Sequence, residues 1–139
     1  EMGMPIYAEC GGFMYLGQSL CYQGETWPMA GVFQVQTSLC DTPQGLGYVE
    51  AEVVHATPFF TPGQVIQGHE FHYSRCIAAD GSVLTLALKM RRGEGLIAHF
   101  DGLVYKNTFA GYIHIHALGV PQWAPGFVAA AAKFAGGLA

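Results

Sequence analysis

An α/β fold is what the sequence predicts, and three observations carry that expectation. A short apolar strand runs straight into a helical period near the start of the chain, period-two segments fill the middle, and an alanine-rich helical stretch lies near the end. At 139 residues the chain has room for one domain with a real core and too little for two ordinary ones.

The first strand is read in Pro5-Ile6-Tyr7-Ala8, which is apolar, β-prone and bounded by proline and glycines. From residue 11 onward Phe13, Leu16 and Leu20 recur at three- and four-residue steps, with Met14 and Cys21 widening the stripe, so a helix is expected over 11–22. Residues 23–30 are polar and contain proline, whereas 32–37 alternate as a half-exposed strand does. Gly45 and Gly47 open a strand through Val49, Ala51 and Val53, and a proline-rich turn at 57–63 precedes another over 65–76. Two more are expected at 83–90 (VLTLALKM) and 96–100 (LIAHF), around the basic, glycine-bearing turn at 91–95. A last strand over 111–116 leads to a helix over 122–134, with Pro125 in its first turn, where a missing N–H costs little.

Charged residues make up 12% of the chain against 51% hydrophobic, with a formal net charge of −4, so no basic surface points to nucleic acid or an anionic membrane. Small-molecule chemistry or a protein partner is expected instead. The four cysteines, Cys10, Cys21, Cys40 and Cys76, lack C-x-x-C spacing and read as reduced thiols of a cytoplasmic protein. No stretch of these residues reads as a signal peptide, and no apolar run among them approaches the roughly 20 residues that span a bilayer. A buried strand so close to the first residue needs neighbours from elsewhere, so the chain reads as a fragment.

Cys10 falls at the strand-to-helix junction, in YAECGG (7–12). Unpaired N–H groups in the first turn of a helix favour negative charge, so the thiol there is expected to ionise below its free value of about 8.5. Gly11 and Gly12 let a carbonyl approach the backbone, and the Gly11 N–H suits an oxyanion, as in nucleophile elbows. The local pattern fits a nucleophile and a packing cysteine equally well.

Histidine is the usual partner of a cysteine nucleophile, because its pKa near 6.5 lets it take and return a proton at working pH. His55 and His99 are isolated and read as surface or satisfied histidines. Two clusters remain, GHEFHYS (68–74) and GYIHIH (111–116). On a strand His114 and His116 share a face, His69 and His72 take opposite faces, and Glu70 shares one with His72. A zinc site from these groups is conceivable, but HEFH has the wrong spacing for the helical H-E-x-x-H motif. Metal binding ranks below catalysis and below a structural role for His69.

Five ordered blocks, PIYAECGGFMYLG (5–17), GYVEAEV (47–53), GHEFHYS (68–74), DGLVYKN (101–107) and GYIHIH (111–116), together resemble the glutamine amidotransferase domain of cobyrinic acid a,c-diamide synthases and their sirohaem-directed relatives. The resemblance spans residues 4–130. It implies a class I glutaminase fold, a largely parallel sheet flanked by helices with an additional antiparallel β portion, here without its first strands. Residues 1–139 would then be the partial C-terminal glutaminase domain of a longer chain. By position it makes Cys10 the nucleophile, His114 the general base and Gly11 an oxyanion donor. Ordinary class I enzymes carry His-x-Glu where this chain has His116, so the third member of the site is open.

The resemblance further implies glutamine as substrate, ammonia as product, and a synthetase domain that uses ATP and Mg2+ to activate a tetrapyrrole acetate. No G-x-x-x-x-G-K-[ST] phosphate loop occurs in these residues, so no cofactor is expected in this domain. Gly12, His69, Glu70, His72, Tyr73, Ser74 and His116 are left as substrate or interface residues. The tail HIHALGVPQWAPGFV (114–128) looks closer to the sirohaem-amidating branch.

Overall fold

In the computed structural model, which describes residues 3–137, β1 (Ile6–Glu9) forms as expected and runs into α1 (Gly11–Leu16). The helix stops at Leu16 and does not reach residue 22. Gly17 leaves it extended (φ −67°, ψ 179°), and the Leu16 carbonyl accepts N–H groups from Val32 and Phe33 at 3.0 Å, which occupies the acceptor that helix continuation would use. Residues beyond it form β2 (Ser19–Tyr22), which hairpins onto β3 (Glu25–Pro28) through Gln23 and Gly24, both at positive φ.

The remaining elements are β4 (Val35–Leu39), β5 (Gly45–Val53), β6 (Val65–His72), β7 (Ser74–Ala78), β8 (Thr85–Arg92), β9 (Phe100–Tyr105), β10 (Thr108–Gly111), β11 (His114–Ile115) and α2 (Trp123–Gly136). The strand expected over 65–76 is two strands in different sheets. Alternating burial runs unbroken through it, so periodicity cannot find the break. Pairing does: Gln44 N–H donates to the His72 carbonyl, Cys40 N–H donates to the Tyr73 carbonyl, and the chain exchanges β5 for β4 as its partner. The apolar run 96–100 is a turn, with Ala98 and His99 at φ 49° and 61°, and the strand begins only at Phe100. The strand expected over 111–116 shrinks to His114–Ile115, for a reason given below.

A seven-stranded sheet has the order β1-β10-β9-β8-β5-β6-β11, and a four-stranded sheet the order β3-β2-β4-β7. The α/β class holds, but the balance of strand direction differs from a largely parallel sheet. Among the described residues only β1 with β10 and β2 with β4 pair in parallel. Parallel neighbours need a long crossover, whereas most connections here are short turns that return the chain antiparallel.

Phe109 and Ala110 are adjacent in β10 yet belong to different apolar clusters, as alternation across a sheet requires. One cluster gathers Val53, Phe59, Phe60, Ile66, Leu88 and Ile113 and receives Trp123 and Phe127 of α2. The other packs Phe13 and Leu16 of α1 against Phe33, Leu103 and Tyr112, with the Phe13 and Tyr112 rings edge to face at 5.1 Å.

Asp101 of β9 lies between them, fully buried. Its carboxylate accepts the N–H groups of Gly102, of Tyr112 at 3.1 Å and of Ile113 at 3.2 Å. Those last two donors are withdrawn from strand pairing, so β10 ends at Gly111 and β11 is short. Burial raises the Asp101 carboxyl to about 7 against the pull of these N–H groups.

Two expectations follow from this seam. A Cβ at Gly111 would collide with the Asp101 carboxylate, so Gly111→Ala destabilises the fold by about 1–3 kcal/mol, measured by urea unfolding. The second concerns pH. The folded Asp101 carboxyl keeps its proton up to about pH 7 and the unfolded one releases it near 4, so the folded state binds more protons in between. Its contribution to stability is therefore full below pH about 4 and is lost as pH rises through about 7. The stability of the protein relative to Asp101→Asn, which cannot titrate, falls from pH 5 to pH 8; a flat difference would contradict the assignment.

Candidate active site

Cys10 stands where β1 becomes α1, with φ 47° and ψ −106°, a backbone conformation that is costly for a residue with a side chain. Two backbone bonds sustain it: its N–H donates to the Gly111 carbonyl at 2.8 Å, and its carbonyl accepts the Met14 N–H at 2.9 Å. Parallel register sets Glu9 beside Gly111, so the thiol sits at the carboxyl ends of two adjacent parallel strands. Open α/β sheets place their ligands at such ends.

The thiol is partly buried, and its titration departs from the expectation. Burial pushes it above the ordinary cysteine value and the Glu9 charge adds to the rise, while the Gly11 N–H pulls it down without winning. One N–H of a six-residue helix does not outweigh desolvation. Cys10 thus rests as a thiol at neutral pH and needs a base to become a nucleophile.

Gly11 is exposed, with nothing within 4 Å of the position a Cβ would take, and its N–H is directed at the Cys10 sulfur. Gly12 has a different reason to be small: a Cβ there would stand 3.3 Å from that of Ala8, where α1 lies on β1.

His114 lies in β11 opposite His69 of β6, and the two imidazoles stack with centroids 4.8 Å apart. Its Nδ1 is buried without a hydrogen-bond partner. Backbone connections bring it to the end of the sheet that carries Cys10. Gly111, bonded to Cys10, lies three positions before it, and the Ile115 N–H just after it donates to Glu9 Oε1 at 3.1 Å. No hydrogen bond joins the Cys10 thiol to His114 among the described residues. His116 is turned elsewhere: its Nδ1 accepts the Leu118 N–H at 3.2 Å and its carbonyl caps the same turn.

GHEFHYS divides by alternation. Glu70, His72 and Ser74 are buried; His69, Phe71 and Tyr73 are exposed, with the Phe71 and Tyr73 rings edge to face. Glu70 accepts the N–H groups of Glu94 at 3.0 Å and Gly95 at 2.7 Å, which ties down the turn after β8. His72 stacks on Tyr112 at 3.6 Å, its Nδ1 donates to the Ser74 carbonyl at 3.0 Å, and Ser74 Oγ meets Tyr112 Oη at 2.6 Å. Burial lowers the His72 pKa, which keeps the ring neutral. The inward half of the motif is therefore framework beneath the site, and only His69 of the outward half touches His114.

The four histidines of the alternative metal reading are not assembled. Among the described residues no group of three or more potential ligands comes together, and no helix is long and apolar enough to cross a membrane. All four cysteines are free thiols.

Two residues that matter here were passed over in the sequence. Glu9 sits in the quoted junction, and the signal was a carboxylate closing an otherwise apolar strand. Asp101 opens DGLVYKN between Phe100 and an apolar run, the same kind of signal.

Similarity to known proteins bears on the whole arrangement. The chain is 42% identical over 125 residues to the cobyrinate a,c-diamide synthase of Magnetococcus marinus, covering 90% of this chain and 27% of the relative. It is 40% identical over 132 residues to the synthase of the same name from Methanothermobacter thermautotrophicus (95% and 28%), and 37% over 134 residues to that of Salmonella typhimurium (96% and 29%). The chain thus spans little more than a quarter of the length of these relatives. Among solved structures, a glutamine amidotransferase from Thermotoga maritima matches with a TM-score of 0.49 and 15% identity, over 94% of this chain and 50% of that one, a likeness too loose to bear on the site. The family model of the CobB/CobQ-like glutamine amidotransferase domain matches residues 1–121, and the chain belongs to that family.

Proposed function

We propose that the chain is the glutaminase domain of an ATP-dependent cobyrinate a,c-diamide synthase, in which Cys10 attacks glutamine and His114 moves the protons. The observation that carries this reading is the positive-φ Cys10 at the strand–helix junction, bonded through its N–H to the Gly111 carbonyl, three residues before the histidine. The names of the relatives favour cobyrinate over a sirohydrochlorin-derived acceptor.

Because Cys10 rests protonated, the reaction starts with a transfer. His114 takes the thiol proton, and the sulfur forms a bond to the side-chain amide carbon of glutamine as the carbonyl π pair moves onto oxygen. The oxyanion is held by the Gly11 N–H, which lies beside the reacting sulfur. Collapse breaks the carbon–nitrogen bond, His114 returns its proton to the leaving ammonia, and a thioester remains. Water, deprotonated by His114, then cleaves the thioester to glutamate and restores the thiol.

Ammonia leaves for a synthetase domain of the same full-length protein, where ATP and Mg2+ activate tetrapyrrole acetate groups as acyl phosphates. The coverage of the relatives leaves room for such a domain. Exposed Tyr48, Phe71 and Tyr73 form an apolar lip on the strands beside His69 and His114, which suits cover by that domain. Cytoplasmic location goes with an enzyme that depends on reduced cysteine and ATP.

The test is nitrogen-donor dependence in the full-length enzyme. Cys10→Ser abolishes glutamine-dependent amidation and glutamate release while amidation from added ammonium salt continues. His114→Ala lowers glutamine hydrolysis by about 10²–10⁴-fold, the usual worth of a general base. Undiminished glutamine use by Cys10→Ser would overturn the proposal.

A further inference from the structure

Glu9 has no part in the chemistry described so far, yet its side chain hydrogen-bonds the nucleophile's strand to the strand of the base. It closes β1, where the other residues are Ile6, Tyr7 and Ala8, and its Oε1 accepts from two donors: Tyr7 Oη at 3.2 Å and the Ile115 N–H at 3.1 Å. The second contact ties residues 106 positions apart.

What it holds needs holding. β11 is two residues long and forms the edge of its sheet, with β6 on one side and, among the described residues, no strand on the other. Packing on the β6 side is tight, since a Cβ at Gly68 would collide with the His114 carbonyl. On the open side Glu9 supplies the acceptor that a neighbouring strand would give. Among the described residues no side chain orients the imidazole through Nδ1, which is buried and unpartnered, and His116 is committed to the Leu118 N–H. The direction of the His114 ring therefore depends on the stack with His69 and on where its backbone is fixed.

We infer that Glu9 is the positioning residue of the general base: its carboxylate pins β11 at Ile115 and so fixes His114 relative to the cysteine that follows Glu9 in the chain. The inference rests on the roles given above to Cys10 and His114. It places an acidic partner on β1, the strand that leads into Cys10, acting through the backbone, at a site whose His-x-His spacing leaves no acid beside the base. The same carboxylate faces a small cavity of about 230 Å3 shared with Tyr7, Ile115, Ala117 and Trp123, so changes to it have space to be accommodated.

Glu9 also leaves a mark on Cys10 that a purely structural residue would not. The ionisable groups coupled to the thiol are Glu9 on its own strand and Tyr112 beyond β10, and the Glu9 charge holds the thiol protonated to higher pH. Three variants of the full-length enzyme separate the effects. Glu9→Ala loses both acceptor and charge, Glu9→Gln keeps an acceptor without charge, and Glu9→Asp keeps the charge with a shorter reach.

Glutaminase kcat and KM are measured together with the pH dependence of Cys10 alkylation by iodoacetamide, read on the Cys10 peptide. Glu9→Ala is expected to lower kcat at least tenfold with KM within twofold of the parent. Glu9→Gln keeps at least a third of kcat and moves the alkylation midpoint to lower pH. Glu9→Asp loses kcat as Glu9→Ala does with the midpoint in place, and it decides the matter if Glu9→Ala does not fold. Parental kcat in Glu9→Ala or Glu9→Asp, or an unmoved midpoint in Glu9→Gln, overturns the inference and leaves the glutaminase reading intact. A parent enzyme that does not hydrolyse glutamine overturns both.

Discussion

The Asp101 carboxylate, buried where β9 faces the end of β10, is the interaction on which the rest of the site depends. By taking the N–H groups of Tyr112 and Ile113 it ends β10 at Gly111, and that ending has two consequences. The Gly111 carbonyl remains available to hold Cys10 in its positive-φ conformation, and the chain turns so that His114 arrives opposite His69 in another part of the sheet. A buried carboxylate surrounded by N–H donors is expensive to desolvate and strongly directional once satisfied, which suits it to fix a bend that ordinary strand pairing would straighten.

Around that seam the sequence divides its apolar residues between two faces. Tyr7 meets Phe59, Phe109 and Trp123 on one side, which fastens β1 to α2, while Phe13 and Tyr112 meet on the other and fasten α1 beneath the turn. The strained cysteine is thereby carried on elements that cannot shift independently, and strain of that kind persists only where its surroundings over-determine it. The thiol gains no resting ionisation from the arrangement. In the proposed reaction its activation falls to His114, whose placement is correspondingly exacting.

Much of this was legible in the sequence, and the failures have physical causes. The Cys10 junction was readable because β1 and α1 have different periods and meet at glycines. The alternation of GHEFHYS correctly set Glu70 and His72 on one face and His69 on the other, since strand side chains must alternate whatever their partners. The end of α1 was not readable, because Leu20 and Cys21 satisfy a helical stripe and a strand equally, and the choice was made by N–H groups of Val32 and Phe33, far along the chain. The division of 65–76 into two strands was hidden for the same reason: partners changed and the pattern did not. The thiol's rise was missed because desolvation depends on packing that no local motif encodes, and Glu9 and Asp101 were missed because their ligands are backbone N–H groups, which every sequence contains.

The central claim, that Cys10 is a nucleophile in a glutamine site, is tested most directly by mass spectrometry after treating the full-length protein with 6-diazo-5-oxo-norleucine, a glutamine mimic that alkylates glutaminase nucleophiles. The account predicts one adduct, on Cys10, that excess glutamine prevents, with Cys21, Cys40 and Cys76 unmodified. Labelling spread over the cysteines without protection by glutamine, or none at Cys10, would contradict it.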